Sequence, residues 1–444
     1  MSKGLRLAGD QYVNFLLDEI TKVRRKLSAL TVAAELAAGR LVDRDGGLLA
    51  VGDDGFALEQ IWRSAGFGFA KRFKPQAAPS TARFESSEKG LTFHQTAEFE
   101  RRFFVSEAKP GDVVLLGYEN EREEQAHVRG DIEGLLDKDV LIVFFGSENA
   151  AKEIQRRIGK RQNFLPLTHR VPDGGLLQVP GWPDKVCSGR GLVNRLYLWV
   201  FASELIAACL RRGKVPGILL SATYESPQIL NIPLIDSYRF IPAFNVSPIK
   251  KGALATKYLN HLHGIASQIV RDQRPQFRQA AQWLADAIRN KHKVRALTIE
   301  SLRPVGLPGN PNLFENYVDP GDFDAAVKKA GPGEVALYVG YNWYPTALGE
   351  AVDKAGGKLI VCITLVQDFP PNPVDLGEPF VQVSSLKQLP KRDNHVYINT
   401  KFDQYDGCLM IPEYPIPVLP TSFISVPLVY WHLVADTVEL LGRG

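Results

Sequence analysis

Short, almost wholly apolar runs alternate with segments of helical periodicity along much of the chain. The runs VVLL (residues 113–116), VLIVFF (140–145) and KLIVCITL (358–365) contain almost no polar residues. Such strands are buried on both faces, which requires a parallel sheet covered by helices on each side. Apolar positions at helical spacing over residues 11–42 predict one long amphipathic helix, or two, before the first strand. The sequence therefore predicts an α/β protein.

The chain also contains an internal repeat. The pattern Tyr-x-Asn-x-Leu at residues 12–16 returns 246 positions later at residues 258–262. The run PGDV at 110–113, followed by Gly-Tyr, is echoed by PGEV at 332–335, again followed by Gly-Tyr. Because the echoes keep their order, duplication explains them better than coincidence.

Each half also ends in the same way. The segments DGGLLQVP (residues 173–180) and DGCLMIP (406–412) each precede an apolar helix, and residues 214–252 read as the connection between halves. We therefore expect two lobes related by a pseudo-two-fold axis, residues 1–245 with a C-terminal connector and residues 246–444. Residues 72–93 and 304–320 are expected to form surface loops.

Composition excludes several classes of protein. Lys plus Arg number 53 against 49 Asp plus Glu, and a net charge of +4 is too small for a general nucleic-acid binder. The 4 cysteines form no metal-binding spacing, so we expect reduced thiols, no metal and no cofactor. The apolar stretch 196–210 is too short to span a bilayer and is read as a core helix. No secretory signal is apparent, which predicts a cytoplasmic protein without a membrane partner.

Several short segments carry a resemblance to a known family. They are Ala33-Ala34-Glu35, Gly52-x-x-Gly55, Glu59, Arg63-Ser64-Ala65-Gly66, and Arg212-Gly213-Lys214-Val215-Pro216 followed by LLSA. Together with the repeat, they resemble two tandem sugar isomerase (SIS) domains. The resemblance implies two three-layer αβα sandwich lobes, each with a flavodoxin-like five-stranded parallel sheet. It also implies that phosphosugars bind at sites between paired lobes.

The family's two phosphate loops have the patterns Gly-x-Gly-x-Ser and Ser-x-Ser-Gly-x-Thr, and lobe 1 departs from both. Its first loop reads GDDGF (residues 52–56) and its second YENERE (118–123). The carboxylates there would oppose a phosphate by roughly 4 kcal/mol for a contact near 4 Å. A neutral polyol, an amine or a cation fits this charge better. The candidate ligand-binding residues of lobe 1 are Asp53, Asp54, Gly55, Tyr118 and Asn120.

Lobe 2 keeps more of the hydroxyl chemistry. Its first loop includes Thr298 and Ser301, and its second begins with Tyr341 and Asn342 and reaches Thr346, which falls on the family's threonine position. Aromatic side chains in this loop suit stacking on the face of a sugar, and they equally suit core packing. A surviving ligand site is therefore predicted in lobe 2.

Isomerisation of a sugar needs a base beside the carbonyl carbon and an acid for the oxygen. Glu59, one turn beyond the first glycine loop, and His94, in a segment that would cross the pocket mouth, are the candidate catalytic residues. The alternative interpretations are a helix glutamate favoured by the helix dipole and an ordinary surface histidine. His261 and His263, on the repeated helix, are read as packing residues.

Two functions are consistent with these patterns. The first is a carbohydrate-derivative (phosphosugar-like) binding protein with a degenerate phosphate site, with aldose–ketose isomerase activity as an option. The second is a non-catalytic SIS-fold sensor or assembly subunit that regulates a partner protein. The expected ligand is a small sugar derivative, and the sequence leaves a homo-oligomer open.

Overall fold

The computed structural model describes most of the chain. The described residues are 8–61, 63–73, 104–118, 132–221, 231, 233–235, 238–242, 244–298, 307, 309–317, 323, 326–365, 380–383, 385–403 and 406–443. The predicted site residues His94, Asn120 and Ser301 lie outside this set. The same is true of most of the predicted loop at residues 72–93.

The first lobe contains a parallel sheet in the order β3-β2-β1-β4-β5-β6. Its strands are β1 (Leu48–Gly52), β2 (Ala70–Phe73), β3 (Phe104–Val105), β4 (Val113–Gly117), β5 (Leu141–Ser147) and β6 (Phe164–His169). Strand β3 is a two-residue addition at the edge, outside the five strands that were expected.

The second lobe contains a parallel sheet in the order β13-β11-β9-β7-β8. Its strands are β7 (Val294–Thr298), β8 (Glu315–Tyr317), β9 (Val335–Val339), β11 (Lys358–Ile363) and β13 (His395–Asn399). Two short strands, β10 (Trp343–Pro345) and β12 (Phe380–Gln382), pair separately in an antiparallel ribbon.

The two sheets share one strand order. Numbered within each lobe, both run 2-1-3-4-5, since β2-β1-β4-β5-β6 matches β8-β7-β9-β11-β13. The predicted pair of α/β lobes with flavodoxin-like parallel sheets is therefore confirmed. The prediction of an uninterrupted loop over residues 304–320 is wrong, because β8 lies there. Its sequence, Glu-Asn-Tyr, lacks the apolar run that marked the central strands because it pairs at the sheet edge.

Nine helices lie within the described residues. They are α1 (Ala8–Arg25), α2 (Leu27–Asp43), α3 (Asp54–Ile61), α4 (Glu148–Ile158), α5 (Arg190–Arg211), α6 (Ala253–Arg271), α7 (Arg274–Arg289), α8 (Thr346–Ala355) and α9 (Ser422–Gly442). The long amphipathic segment at the start of the chain forms two helices, with the break at Lys26.

One apolar core runs through both lobes. Helices α1, α2, α5, α6, α7 and α9 contribute to it together with the inner face of each sheet. Alternate strand residues face outward, so Val143 belongs to this shared core whereas Phe144 belongs to an outer cluster under α4. A third cluster lies under α8 on the outer face of lobe 2. The lobes are thus joined by a common helical layer.

Helices α5 and α9 are long and apolar enough to cross a membrane by length and composition alone. Their most apolar windows are 100% and 89% buried inside the protein, as expected for core helices. The interpretation of residues 196–210 as a core helix agrees with this burial.

The segments that precede α5 and α9 have the same backbone turn. An antiparallel bridge pairs Leu177 with Val186 in lobe 1, and another pairs Leu409 with Val418 in lobe 2. Each turn then reaches the opposite lobe: residue 187 donates its N–H to the carbonyl of Gly309 (2.8 Å), and residue 419 donates to the carbonyl of residue 65 (3.1 Å). These reciprocal contacts are those of a pseudo-two-fold arrangement. The predicted boundary after residue 245 stays a prediction.

Candidate functional site

The strand order places a crevice at the carboxyl edge of each sheet. Ligands of open α/β sheets bind where successive connections leave in opposite directions. In lobe 1 this switch point lies between the ends of β1 and β4, and in lobe 2 between the ends of β7 and β9. These two places are the natural candidates for a small-molecule site.

The crevice of lobe 1 is filled by an aromatic ring. Phe56 is 1% exposed, and a Cβ atom added to Gly117 would lie only 2.6–2.8 Å from its ring. The ring also packs against Phe145, with centroids 5.7 Å apart. Gly52, at φ +147°, lets the end of β1 approach the carbonyl of Gly117. Glycines at the two strand ends therefore allow Phe56 to occupy the space where a ligand would sit.

The predicted lobe 1 residues support this closed arrangement. Asp53 accepts hydrogen bonds from the backbone N–H groups of Phe56 (side chain, 2.9 Å) and Ala57 (main chain, 2.8 Å), so it caps α3. Asp54 and Gly55 lie in the first turn of that helix. The aromatic side chain of Tyr118 is 3% exposed and belongs to the outer cluster under α4.

A bonded polar group lies at the same edge of lobe 1. Asn194 donates its amide N–H to the carbonyl of Tyr118 (2.6 Å), and its Oδ1 lies 2.6 Å from Nε2 of His169. The N–H of Val171 donates to Nδ1 of His169 (3.1 Å), so the proton of the neutral ring is on Nε2. Burial lowers the pKa of His169 to about 3. The polar atoms of Asn194 and His169 therefore bond to each other and to the backbone.

The crevice of lobe 2 differs, because it contains buried polar groups without partners. Both amide atoms of Asn342 lack a hydrogen bond to any described residue, although the residue is only 1% exposed. Oη of Tyr338 and Oγ1 of Thr346 are unpartnered in the same described part of the chain. Tyr338 points to the carboxyl end of β9, since its Oη would lie 2.5 Å from a Cβ on Gly340. A single nine-residue segment thus presents three unsatisfied polar side chains.

Uncharged polar residues follow the neighbouring strands of lobe 2. Thr298 ends β7, and Thr364 and Thr400 directly follow β11 and β13. Thr364 donates to the carbonyl of Phe402 (2.8 Å), whereas Oγ1 of Thr400 has no partner among the described residues. Because the strands are parallel, all of these side chains lie at one edge of the sheet.

An aromatic wall stands beside Asn342. The ring of Tyr341 meets Trp343 and Phe402 edge-on, with centroids 5.8 and 5.5 Å away. The backbone carbonyl of Tyr341 accepts the N–H of Thr364 (2.8 Å), which fixes the loop after β9 against the next strand. The structure thus places Thr298, Tyr341, Asn342 and Thr346 at the carboxyl edge of lobe 2, and their role in ligand binding stays a prediction.

Glu59 lies in a different place, in the interface between the lobes. It is 5% exposed, accepts a hydrogen bond from Nε1 of Trp199 (3.0 Å) and pairs with Nε of Arg63 (3.4 Å). Burial raises the pKa of Glu59, and Arg63 and Arg195 act against that rise. The catalytic role of Glu59 stays a prediction, and its contacts are those of a buried ion pair.

The ion pair continues into lobe 2. Nη2 of Arg63 lies 3.1 Å from Oδ2 of Asp406, which also accepts the hydroxyl of Ser422 (2.7 Å). The other oxygen of Asp406 accepts the N–H groups of Thr421 and Ser422 (3.0 and 2.8 Å), at the start of α9. The sequence repeat places Asp406 at the start of the segment before α9 but gives it no functional role, and no sequence pattern singled out Tyr338.

Comparison with known proteins gives distant structural matches. No family model matches the sequence, and no curated protein does. The chain is similar to the C-terminal domain of glucosamine-fructose-6-phosphate aminotransferase from Francisella tularensis, at 9% identity and a TM-score of 0.40, over 96% of each chain. It is also similar to a candidate sugar-binding protein from Salmonella typhimurium LT2, at 10% identity and a TM-score of 0.42, over 98% of this chain and 99% of that one. At such values the likeness carries no argument about activity, so function is argued from the residues.

Proposed function

We propose that this protein binds a small, uncharged, hydroxylated molecule, such as a sugar derivative, at the carboxyl edge of lobe 2. The observation that carries the proposal is the buried side-chain amide of Asn342, whose donor and acceptor atoms are both unpartnered among the described residues. An unsatisfied buried polar group costs roughly 1–3 kcal/mol, which a ligand hydroxyl would offset. Tyr338 and Thr346 add two further hydroxyl groups to the same segment.

The chemistry of the edge favours a neutral ligand. An amide offers two donors and an acceptor, and each hydroxyl offers both functions, so together they match the alternating donors and acceptors of a polyol. Among the described residues, four uncharged polar side chains stand at or just beyond the carboxyl ends of β7, β9, β11 and β13, namely Thr298, Asn342, Thr364 and Thr400. Tyr341 supplies an aromatic face of the kind that packs on an apolar sugar face.

The contrast between lobes supports placing the ligand in lobe 2. In lobe 1 the corresponding space holds the ring of Phe56, and Asp53 is used as a helix cap. In lobe 2 the corresponding polar groups are left unsatisfied. A duplicated protein that has closed one crevice and kept the other would bind one ligand per chain.

Binding without turnover is the form of this function that we favour. The candidate base, Glu59, is already paired with Arg63 and hydrogen-bonded to Trp199 in the lobe interface. Isomerase activity remains the alternative, as does regulation of a partner protein by the occupied site. The cytoplasmic location, the oligomeric state and the absence of membrane, nucleic-acid and cofactor partners stay predictions.

A thermal-shift screen tests the proposal. Neutral monosaccharides, amino sugars and sugar phosphates would each be added in excess, and a ligand at a hundred times its Kd should stabilise the protein by about 2.7 kcal/mol. We expect neutral sugars or amino sugars to stabilise the protein more than their phosphates. Asn342→Leu and Thr346→Val should each weaken the apparent binding affinity at least tenfold and so reduce the thermal shift.

Thr21→Val is the matched control, since Thr21 lies on α1 and its hydroxyl donates to the carbonyl of Leu17 one turn earlier on the same helix (3.0 Å). That variant should keep the full ligand-induced shift. The proposal is overturned if no sugar of any class stabilises the protein, or if binding survives both lobe 2 substitutions.

A further inference from the structure

A cluster of three different metal-ligating side chains lies on the lobe 2 side of the interface. His261 is on α6, Asp403 follows β13, and Cys408 lies in the bridged turn before α9. One ligating atom from each residue lies within 4.8 Å of the other two. Nε2 of His261 and Oδ2 of Asp403 are already 2.7 Å apart.

We propose that His261, Asp403 and Cys408 form a binding site for a zinc-like divalent cation. An imidazole nitrogen, a carboxylate oxygen and a thiolate are the three ligand types that Zn²⁺ combines in proteins. Mg²⁺ and Ca²⁺ prefer oxygen ligands only, so the sulfur and nitrogen disfavour them. Three protein ligands leave the fourth tetrahedral position for water or another molecule.

The geometry requires only a small adjustment. Zinc lies about 2.0 Å from nitrogen or oxygen and about 2.3 Å from sulfur, so the tetrahedral ligand atoms of such a site are separated by roughly 3.3–3.5 Å. The His261–Asp403 pair would therefore open by about half an ångström, and Cys408 would close on it. All three residues are partly exposed, which gives a cation a path from solvent.

The surroundings hold two of the ligands in place. Thr421 donates its hydroxyl to Oδ2 of Asp403 (3.0 Å), and its Oγ1 accepts the backbone N–H of the same residue (2.9 Å). Cys408 is fixed through its backbone N–H, which bonds to the carbonyls of residues 418 and 419 (3.2 and 3.0 Å). Hydrogen bonds of this kind orient ligands and raise metal affinity.

The repeat shows that the fold does not require this cluster. Phe15 follows Tyr12 by three residues, as His261 follows Tyr258. Leu176 makes the same two backbone hydrogen bonds in lobe 1 (both 2.9 Å) that residue 408 makes in lobe 2. Phe15 and Leu176 pack together against Gly189, so lobe 1 has an apolar contact where lobe 2 has a histidine and a cysteine. His261 and Cys408 therefore occupy positions in lobe 2 that are apolar and well packed in lobe 1.

Cobalt substitution tests the site directly, independently of any sugar. Co²⁺ titrated into the full-length, chelator-treated protein should bind at one equivalent. It should give a thiolate-to-cobalt charge-transfer band and tetrahedral d–d bands, and Zn²⁺ should displace it. Cys408→Ser should abolish the charge-transfer band, and His261→Gln and Asp403→Asn should each weaken binding at least tenfold. Thr421→Val should weaken it by about 10–100-fold through the outer hydrogen bond.

His263→Gln is the matched control, because His263 is exposed on the same helix two residues away and lies outside the cluster. It should leave the Co²⁺ spectrum and affinity unchanged. The thermal midpoint of each metal-free variant establishes that it is folded. No Co²⁺ binding by the folded protein, or a charge-transfer band that survives Cys408→Ser, overturns the proposal.

Discussion

Tyr12 and Tyr258 make the same hydrogen bond in the two lobes. Each phenol is fully buried and donates to a backbone carbonyl two residues before the last helix of its lobe. Tyr12 bonds to the carbonyl of Ser188 (2.9 Å), and Tyr258 bonds to the carbonyl of Pro420. The first long helix of each lobe is thereby tied to the turn that reaches across to the other lobe. This is the relationship that a duplication predicts, expressed in contacts.

Removal of either phenol hydroxyl should destabilise the protein by a similar amount. Tyr12→Phe and Tyr258→Phe each leave a buried carbonyl without its donor, which costs about 1–3 kcal/mol. Equilibrium unfolding in denaturant measures the loss. Tyr238→Phe is the control, because that side chain is 52% exposed and its substitution should have no measurable effect. A large cost at one position and none at the other would contradict the equivalence of the two tyrosines.

The sequence predicted the central architecture because apolar runs and repeats are local signals. The apolar runs at 140–145 and 358–365 predicted β5 and β11, and the repeated segments, which keep their order in both halves, predicted two lobes. Edge strand β8 gave no such signal, since Glu315–Tyr317 is polar and pairs on one side only. The central strands were predictable because burial on both faces requires apolar residues. An edge strand such as β8 is not bound by that requirement, so its sequence gave no signal.

The candidate site was predictable only in part, for a related reason. Asn342 and Thr346 lie close together in sequence, on either side of β10, so position in the repeat was enough to single them out. The proposed cation site is formed by residues 261, 403 and 408, whose spacing in the sequence matches no metal-binding motif. Comparison of the two repeats could have given a hint, because Phe15 in one copy corresponds to His261 in the other. The buried ion pair of Glu59 depends on tertiary packing that no spacing reveals.

Two equally buried asparagines should respond oppositely to the same substitution. Asn194 and Asn342 are each 1% exposed. The amide of Asn194 bonds to Tyr118 and His169, whereas that of Asn342 has no partner among the described residues. Asn194→Leu should lower the free energy of unfolding by about 3 kcal/mol, since it leaves two buried groups unpaired. Asn342→Leu should raise it by about 1 kcal/mol, because it removes an unsatisfied amide.

Ligand-free protein and denaturant titration are the appropriate conditions for this comparison. Destabilisation by both substitutions would mean that Asn342 is satisfied in solution, and it would remove the main support for the lobe 2 site. Because Asn342→Leu should also abolish sugar binding, stability and function would change in opposite directions. Such a trade-off is the signature of a binding residue rather than a packing residue.

Asp436 should make stability depend on pH. Burial, with Asp10 and Glu439 nearby, raises the pKa of this carboxyl group to about 7, although the Gly9 N–H and Arg278 act against the rise. A group whose pKa is raised on folding stabilises the protein below its unfolded pKa, near 4, and that contribution is lost as pH rises through about 7. The lost stability is about 4 kcal/mol at most.

Asp436→Asn removes this pH dependence. The asparagine keeps an oxygen that can accept the N–H of Gly9, which lies 2.7 Å from Oδ1 of Asp436 in the original protein. The variant should therefore be more stable than the original protein at pH 8, and the advantage should shrink towards pH 5. Unfolding curves at several pH values measure the difference. Asp393→Asn, at an exposed position, controls for the change in net charge and should show no such trend. An advantage for Asp436→Asn that does not change with pH would refute the assignment.

Glu59→Gln separates a structural role from a catalytic one. Glutamine can still accept the hydrogen bond of Trp199, but it removes the negative charge 3.4 Å from Nε of Arg63. Loss of one partner from a buried ion pair costs about 3–5 kcal/mol, and because Arg63 keeps Asp406 we expect about 3 kcal/mol. The double variant Glu59→Gln/Arg63→Met should cost less than the sum of the single substitutions, since the two residues interact.

Glu153→Gln is the matched control for this pair. Glu153 and Arg157 have the same i,i+4 spacing on α4, but each side chain is 36% exposed to solvent, so loss of that ion pair should change stability by less than about 1 kcal/mol. Denaturant unfolding measures all of these variants. If Glu59→Gln left stability unchanged but abolished conversion of a bound sugar, Glu59 would be the base of an isomerase. A loss of stability with sugar binding retained would instead place Glu59 in the clamp that holds the two lobes together.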